Sequence, residues 1–249
     1  MRSYWIPGWA TDCRVFETLL TELEAGRGVR AVPFDLPWSA DSAPSAEGKN
    51  YSAALLARLA GDKEASGGAN LVGWSLGAML ALEAAAANPE AVRSLVLISG
   101  CGAFVRLPDN PRGKDRRIIQ RMKRRLGADP AGLIADFQRE MFGPGREELY
   151  ESFWQTAGAG GLEMAPGALG RGLDYLLETD LRDILRRIAC PALVLHAADD
   201  TIIDSRLGEE LAGALPGGRF VALETGRHIP FRGAERRCAG LLKEFWGEI

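Results

Sequence analysis

A serine between two glycines, Gly73-Trp74-Ser75-Leu76-Gly77, is the first place in this chain where chemistry can be read. An apolar run, Asn70-Leu71-Val72, leads into it, and the helix-forming run Ala78 to Ala87 leads out. A strand, a tight turn and a helix in that order lift the Ser75 hydroxyl above a sheet and set it at a helix N-terminus, whose dipole favours negative charge. Glycines on either side suit a turn where side chains would collide with the neighbouring strand or helix. A plain glycine-rich turn carries the same letters, so the partners decide. Serine is a weak nucleophile until a base takes its proton. Only His196 and His228 are available for that. His228 lies in the loop after the apolar run Phe220 to Leu223, and Asp200 lies just after Leu193-Val194-Leu195. Both are therefore expected at the sheet edge where Ser75 sits. Asp199 and Asp204 are substitutes for Asp200, and His196, too near its strand end to reach Ser75, reads as structural. The order serine, acid, histidine gives Ser75 as nucleophile, His228 as base, and Asp200 as the group that fixes the tautomer of His228. Oxyanion donors are expected from the backbone N–H of Leu76 and, in the loop Pro7-Gly8-Trp9-Ala10, from that of Trp9, since Pro7 has none.

The elements that must position these groups alternate along the chain. Strands are expected at Ser3 to Ile6, Val29 to Phe34, Ala69 to Trp74, Ser94 to Ser99, Pro191 to His196 and Phe220 to Leu223. Helices are expected at Val15 to Leu23 (stopped by Gly26), Tyr51 to Ala60, Leu76 to Ala87, Ser205 to Leu215 and Ala234 to Trp246. A polar loop fills the gap up to about Asn50. Such alternation implies a doubly wound α/β fold with a mostly parallel sheet and helices on both faces. Between Cys101 and Ile188 no strand is legible. That stretch reads as a helical insertion with breaks at Gly143-Pro144-Gly145 and Gly158 to Gly161. The expected division is a core of residues 1–100 and 189–249 with an inserted helical cap at 101–188.

Composition narrows the classes. The 249 residues are 47% hydrophobic and 25% charged, with a net charge of −3, an ordinary globular balance. No apolar run approaches the roughly 20 residues of a membrane span, and Pro7-Gly8 comes too early for a signal peptide's apolar core. A soluble, cytoplasmic protein is the expectation. Four scattered cysteines (Cys13, Cys101, Cys190, Cys238) show no metal spacing and read as reduced thiols, and two histidines leave little for a zinc site. Neither metal nor cofactor is implied.

Together these residues resemble the α/β-hydrolase superfamily, over nearly the whole chain. Within it the chain is most similar to the pimeloyl-acyl carrier protein methyl ester esterases of biotin synthesis. The elbow with its tryptophan, the pair Gly8-Trp9, and the segment Leu173 to Leu195 carry that likeness. It implies an esterase with Ser75, Asp200 and His228 as the catalytic set and Trp9 and Leu76 lining the oxyanion and substrate site. Cap residues Phe137 to Met141, above all Phe137 and Met141, would touch the acyl chain. Two positions depart from the superfamily pattern: Pro7, where histidine is usual, and Ala78, where a second glycine is common. A general carboxylesterase or thioesterase is the alternative, as is a menaquinone-pathway lyase, although Ala78-Met79-Leu80 lacks the basic residue that family carries. A binding protein without catalysis would be expected to lack a triad member.

Residues 112–125 hold eight basic side chains and one acidic one, in a chain that is acidic overall. A solvated helix face explains this blandly. The functional reading is a docking face for an acidic acyl carrier protein, with Arg116, Arg117, Arg121, Arg124 and Arg125 pairing with its carboxylates and phosphate. Nucleic acid is not expected, because no aromatic platform is interleaved with the charge.

Overall fold

The computed structural model describes residues 2–24, 30–35, 52–65 and 67–249. In chain order the elements are β1 (Arg2–Ile6), a 3-10 turn (Cys13–Phe16), α1 (Glu17–Glu24), β2 (Arg30–Pro33), α2 (Ala53–Ala60), β3 (Ala69–Trp74), α3 (Leu76–Ala87) and β4 (Val92–Ile98). There follow α4 (Arg116–Ala128), α5 (Pro130–Phe142), α6 (Glu147–Phe153), a π-helical turn (Trp154–Gly158), α7 (Gly160–Glu163) and α8 (Pro166–Glu178). After a 3-10 stretch (Arg182–Arg187) come β5 (Ala192–Ala197), α9 (Ser205–Ala214), β6 (Gly218–Leu223) and α10 (Glu235–Glu248). The expected helix stop at Gly26, the strand start at Val29, the loop up to Asn50 and the helix start at Tyr51 lie outside the described residues.

One sheet of six strands is ordered β2-β1-β3-β4-β5-β6, and every pairing is parallel. All six residues of β3 and of β5 are buried. Successive side chains of a strand point to opposite faces, so both faces of the central sheet are covered, as its continuous apolar runs require. Helix α3 packs on β1, β3 and β4, α9 packs on β5 and β6, and α1 packs against α10. The order reverses around β1: the chain places β2 on one side of it and β3 on the other. Such a reversal opens a crevice at the carboxyl ends of the two central strands. The Pro7–Ala10 loop leaves β1 there, and Ser75 leaves β3 there.

Between β4 and β5 the chain adds no strand to the sheet, only the isolated bridges Ala103–Asp180, Val105–Lys114 and Leu107–Asn110. Its helices have legible starts. Asp115 accepts from the Arg117 N–H to cap α4, and Asp129 caps α5 through Gly132 N–H, with Pro130 in the first turn. Gly143 ends α5 at φ 69°, as the Gly-Pro-Gly run predicts. The second predicted break is corrected: residues 158–161 continue a helical path through the π-turn into α7. Glycines are there for close approach. A Cβ on Gly161 would lie 2.4 Å from the Ala10 carbonyl oxygen, and one on Gly160 would lie 2.0 Å from the Asp12 carboxylate. The first helix also begins differently, as a 3-10 turn capped by Asp12 before α1 proper. No described helix is long and apolar enough to cross a membrane.

Candidate active site

Ser75 joins β3 to α3 at φ 56° and ψ −119°, a backbone conformation that costs a side-chain-bearing residue about 1–3 kcal/mol. The surroundings leave no choice. A Cβ on Gly73 would stand 2.4 Å from the Gly77 carbonyl oxygen, and one on Gly77 would stand 2.3 Å from that of Ile6. Close packing of strand, turn and helix thus forces the strain onto Ser75. Ala78 is accommodated because the residue facing its methyl group is Gly100, where a Cβ would come within 2.7 Å.

His228 Nε2 lies 2.8 Å from Ser75 Oγ, and His228 Nδ1 lies 2.8 Å from Asp200 Oδ2. The three residues meet across 153 and 28 positions of sequence. The His228 loop is held from several sides. Trp74 donates its indole N–H to the His228 carbonyl at 2.7 Å, and the His228 N–H donates to the Met141 carbonyl on α5 at 3.1 Å. Asp199 is occupied elsewhere in that loop, accepting from the N–H groups of Gly226 and Arg227 at 2.9 and 2.8 Å. Asp204 caps α9 and pairs with Arg206. Of the three candidate carboxylates, Asp200 alone faces His228. Its Oδ1 accepts from the N–H groups of Ile202 and Ile203, and its Oδ2 also faces His196 Nε2 at 3.0 Å. Burial by itself would raise the Asp200 carboxyl. The charge of His228 and the hydrogen bonds from His196 and His228 outweigh it and hold the group below the usual carboxylate range.

The Pro7–Ala10 loop runs against the elbow: a Cβ on Gly8 would lie 3.2 Å from Ser75 Cβ and 3.0 Å from the Trp74 ring. Thr11 Oγ1 donates to the Gly8 carbonyl at 3.0 Å, and Ala10 turns the chain at φ 57°. Pro7, lacking an N–H, sits ahead of this turn without removing a donor from it. The Trp9 side chain points into the inserted helices, donating its indole N–H to the Leu169 carbonyl on α8 at 2.9 Å. Its ring meets Phe137 edge-on at 5.0 Å. Phe137 and Trp9 are therefore neighbours, while Met141 is fully buried and reaches the site through its backbone contact with His228.

Four residues that matter here were not singled out as site residues. Gln138, fully buried, gives both amide hydrogens to carbonyls, of Ala10 at 2.9 Å and of Gly158 at 3.0 Å, tying the Trp9 loop to α5 and the π-turn. A lone glutamine in the otherwise apolar stripe of α5 was its only sequence signal. Trp74 was visible only as part of the elbow, His196 only as a strand-end histidine, and Gly208, which packs on the His196 ring, had none.

The five arginines expected at a docking face separate into two groups. Arg116 donates to the Leu177 carbonyl at 2.8 Å, and Arg125 pairs with Asp136 at 2.7 Å and Asp129 at 3.3 Å. These two secure α4 to α8 and α5. Arg117, Arg121 and Arg124 are exposed, with no side-chain partner among the described residues, and their spacing puts them on one helical face. Ile118, 43% exposed, stands beside them. All four cysteines are free thiols, and burial pushes Cys101 up to about 12. Among the described residues no three His, Cys, Asp or Glu side chains group to hold a metal ion.

A family model described as the alpha/beta hydrolase family matches residues 4–241. A pimeloyl-[acyl-carrier protein] methyl ester esterase of Neisseria meningitidis is 31% identical over 98% of this chain and 93% of that one. Its counterpart in Aromatoleum aromaticum is 30% identical over 95% and 94%. The crystal structure of a bromoperoxidase from Bacillus anthracis superimposes with a TM-score of 0.87, covering 99% of this chain and 91% of that one at 21% identity, a likeness of fold alone.

Proposed function

The chain belongs to the alpha/beta hydrolase family, and from that premise we propose that it is a serine carboxylesterase that removes the methyl ester from a pimeloyl chain carried on acyl carrier protein. The observation that carries the chemistry is the hydrogen-bonded line Ser75 Oγ–His228–Asp200. The names of the relatives at 30–31% identity support the substrate. Ser75 Oγ attacks the ester carbonyl while His228 Nε2 takes its proton, and Asp200 stabilises the imidazolium through Nδ1. The backbone N–H of Leu76, at the start of α3, and that of Trp9 receive the oxyanion. His228 returns the proton to the leaving methanol. Water, deprotonated by the same nitrogen, then releases the free carboxylate and restores Ser75.

Residues 101–188 serve as the cap in this reading, over a core of 1–100 and 189–249, with Phe137 and Met141 along the acyl path. Arg117, Arg121 and Arg124 are the charges free to receive an acidic carrier. Methanol release from the pimeloyl methyl ester, free and attached to the carrier, tests the reading. A preference for the carried ester that fades with salt is expected. Equal turnover of both would leave a general carboxylesterase. Ser75→Ala should abolish release from either while the protein stays folded by circular dichroism.

A further inference from the structure

Both histidines of the chain meet on one oxygen atom. His228 Nδ1 lies 2.8 Å and His196 Nε2 lies 3.0 Å from Asp200 Oδ2, and His196 Nε2 is also 3.1 Å from the Ile203 carbonyl oxygen. A ring nitrogen that faces two oxygen acceptors must carry the proton, because a bare lone pair would be repelled by both. His196 Nδ1 is buried and has no partner among the described residues. A proton there would be a buried donor without an acceptor. The geometry therefore places a hydrogen on Nε2 and offers no acceptor for one on Nδ1. Helix α9 makes room for this placement, since a Cβ on Gly208 would stand 2.4 Å from Nδ1.

We infer that His196 is a positioning residue for Asp200: its Nε2–H fixes the carboxylate in the orientation that receives His228 and takes up part of the charge that Oδ2 presents to it. The inference rests on the assignment of Ser75, His228 and Asp200 above. With Ile202 and Ile203 on Oδ1, the two rings complete the hydrogen bonding of a carboxylate that is 8% exposed. Among the described residues Cys101, in the loop after β4, also interacts electrostatically with it, and burial keeps that group as the thiol. Removing the His196 donor would leave Oδ2 with more charge toward His228 and held on that side by His228 alone. The imidazolium would be favoured, and the base would be lost to protonation at a higher pH.

The test is hydrolysis of a p-nitrophenyl ester by the full chain across pH, with active sites counted by a phosphonate that reacts at Ser75. His196→Phe should lower kcat about tenfold and move the acid limb of kcat/KM upward by about half a pH unit. His196→Gln, whose amide N–H reaches the same oxygen, should recover most of kcat and return the limb. A Phe variant with an unchanged limb and full kcat per titrated site would overturn the inference, as would equal losses in the two variants. If the Phe variant does not fold, ring 15N resonances of the wild type decide: a proton on Nε2 of His196 supports the inference and one on Nδ1 sinks it. Hydrolysis that survives Ser75→Ala, or a wild type the phosphonate does not label, would instead bring down the underlying assignment.

Discussion

Two oxygens of Asp200 accept from four directions, and that saturation is what keeps a buried carboxylate ionised beside His228. Asp200→Asn preserves shape but reverses the polarity offered to His228 Nδ1, favouring the wrong tautomer. A fall in kcat of about 10³–10⁴-fold is expected, with little change in KM, in steady-state ester hydrolysis. The same residue links the site to acid stability. Its folded-state pKa is depressed, so its contribution is present above the unfolded value near 4 and is lost as pH falls through the folded value. Urea midpoints should therefore hold this contribution down to about pH 4 and lose it only in stronger acid. That Ser75, Asp200 and His228 come together was legible because each follows a strand, and strand ends can be read from apolar runs. Trp74 and Gln138 were not, because a hydrogen bond to a carbonyl far along the chain leaves no local pattern.

At the scale of elements, the elbow is the tightest contact between β3, α3 and β1. Gly73→Ala and Gly77→Ala drive a methyl group into backbone that cannot yield, at 2.4 and 2.3 Å. Each should destabilise the fold by about 2 kcal/mol or more, read from urea unfolding. Gln138 offers a gentler probe. Gln138→Leu keeps volume but releases the carbonyls of Ala10 and Gly158. A roughly tenfold loss in kcat with KM nearly unchanged is expected, since the strut holds the loop that presents the Trp9 N–H. Strand and helix placement in the core followed from periodicity and turn residues. The Gly158 to Gly161 run misled for a physical reason: glycine marks both a break and a close approach, and the sequence around it does not say which.

For the whole molecule, charge is unevenly placed: a chain acidic overall carries six basic residues and no acidic one on α4, and three of the six have no side-chain partner among the described residues. Reversing Arg117, Arg121 and Arg124 to Glu should raise KM for the carrier-bound ester at low salt by about tenfold or more and spare a small free ester. Equal effects on both substrates would assign the helix to packing alone. Counting charges singled out five arginines on this helix; three have no side-chain partner among the described residues, and two make contacts within the protein. Arg116 reaches the Leu177 carbonyl and Arg125 pairs with Asp136, contacts that only the packing of α4 on α8 and α5 reveals.

The all-parallel sheet has a consequence for how the protein comes into being. Among the described residues no strand of the sheet pairs with its neighbour through a hairpin, and His228 meets Ser75 across 153 residues. β1 and β3 both precede the elbow in sequence, yet the loop bearing His228 follows β6, and contacts so distant in sequence assemble slowly. Hydrolysis should therefore reappear during refolding only with the last phase of recovery, later than helical signal, so that turnover reports completion of the fold.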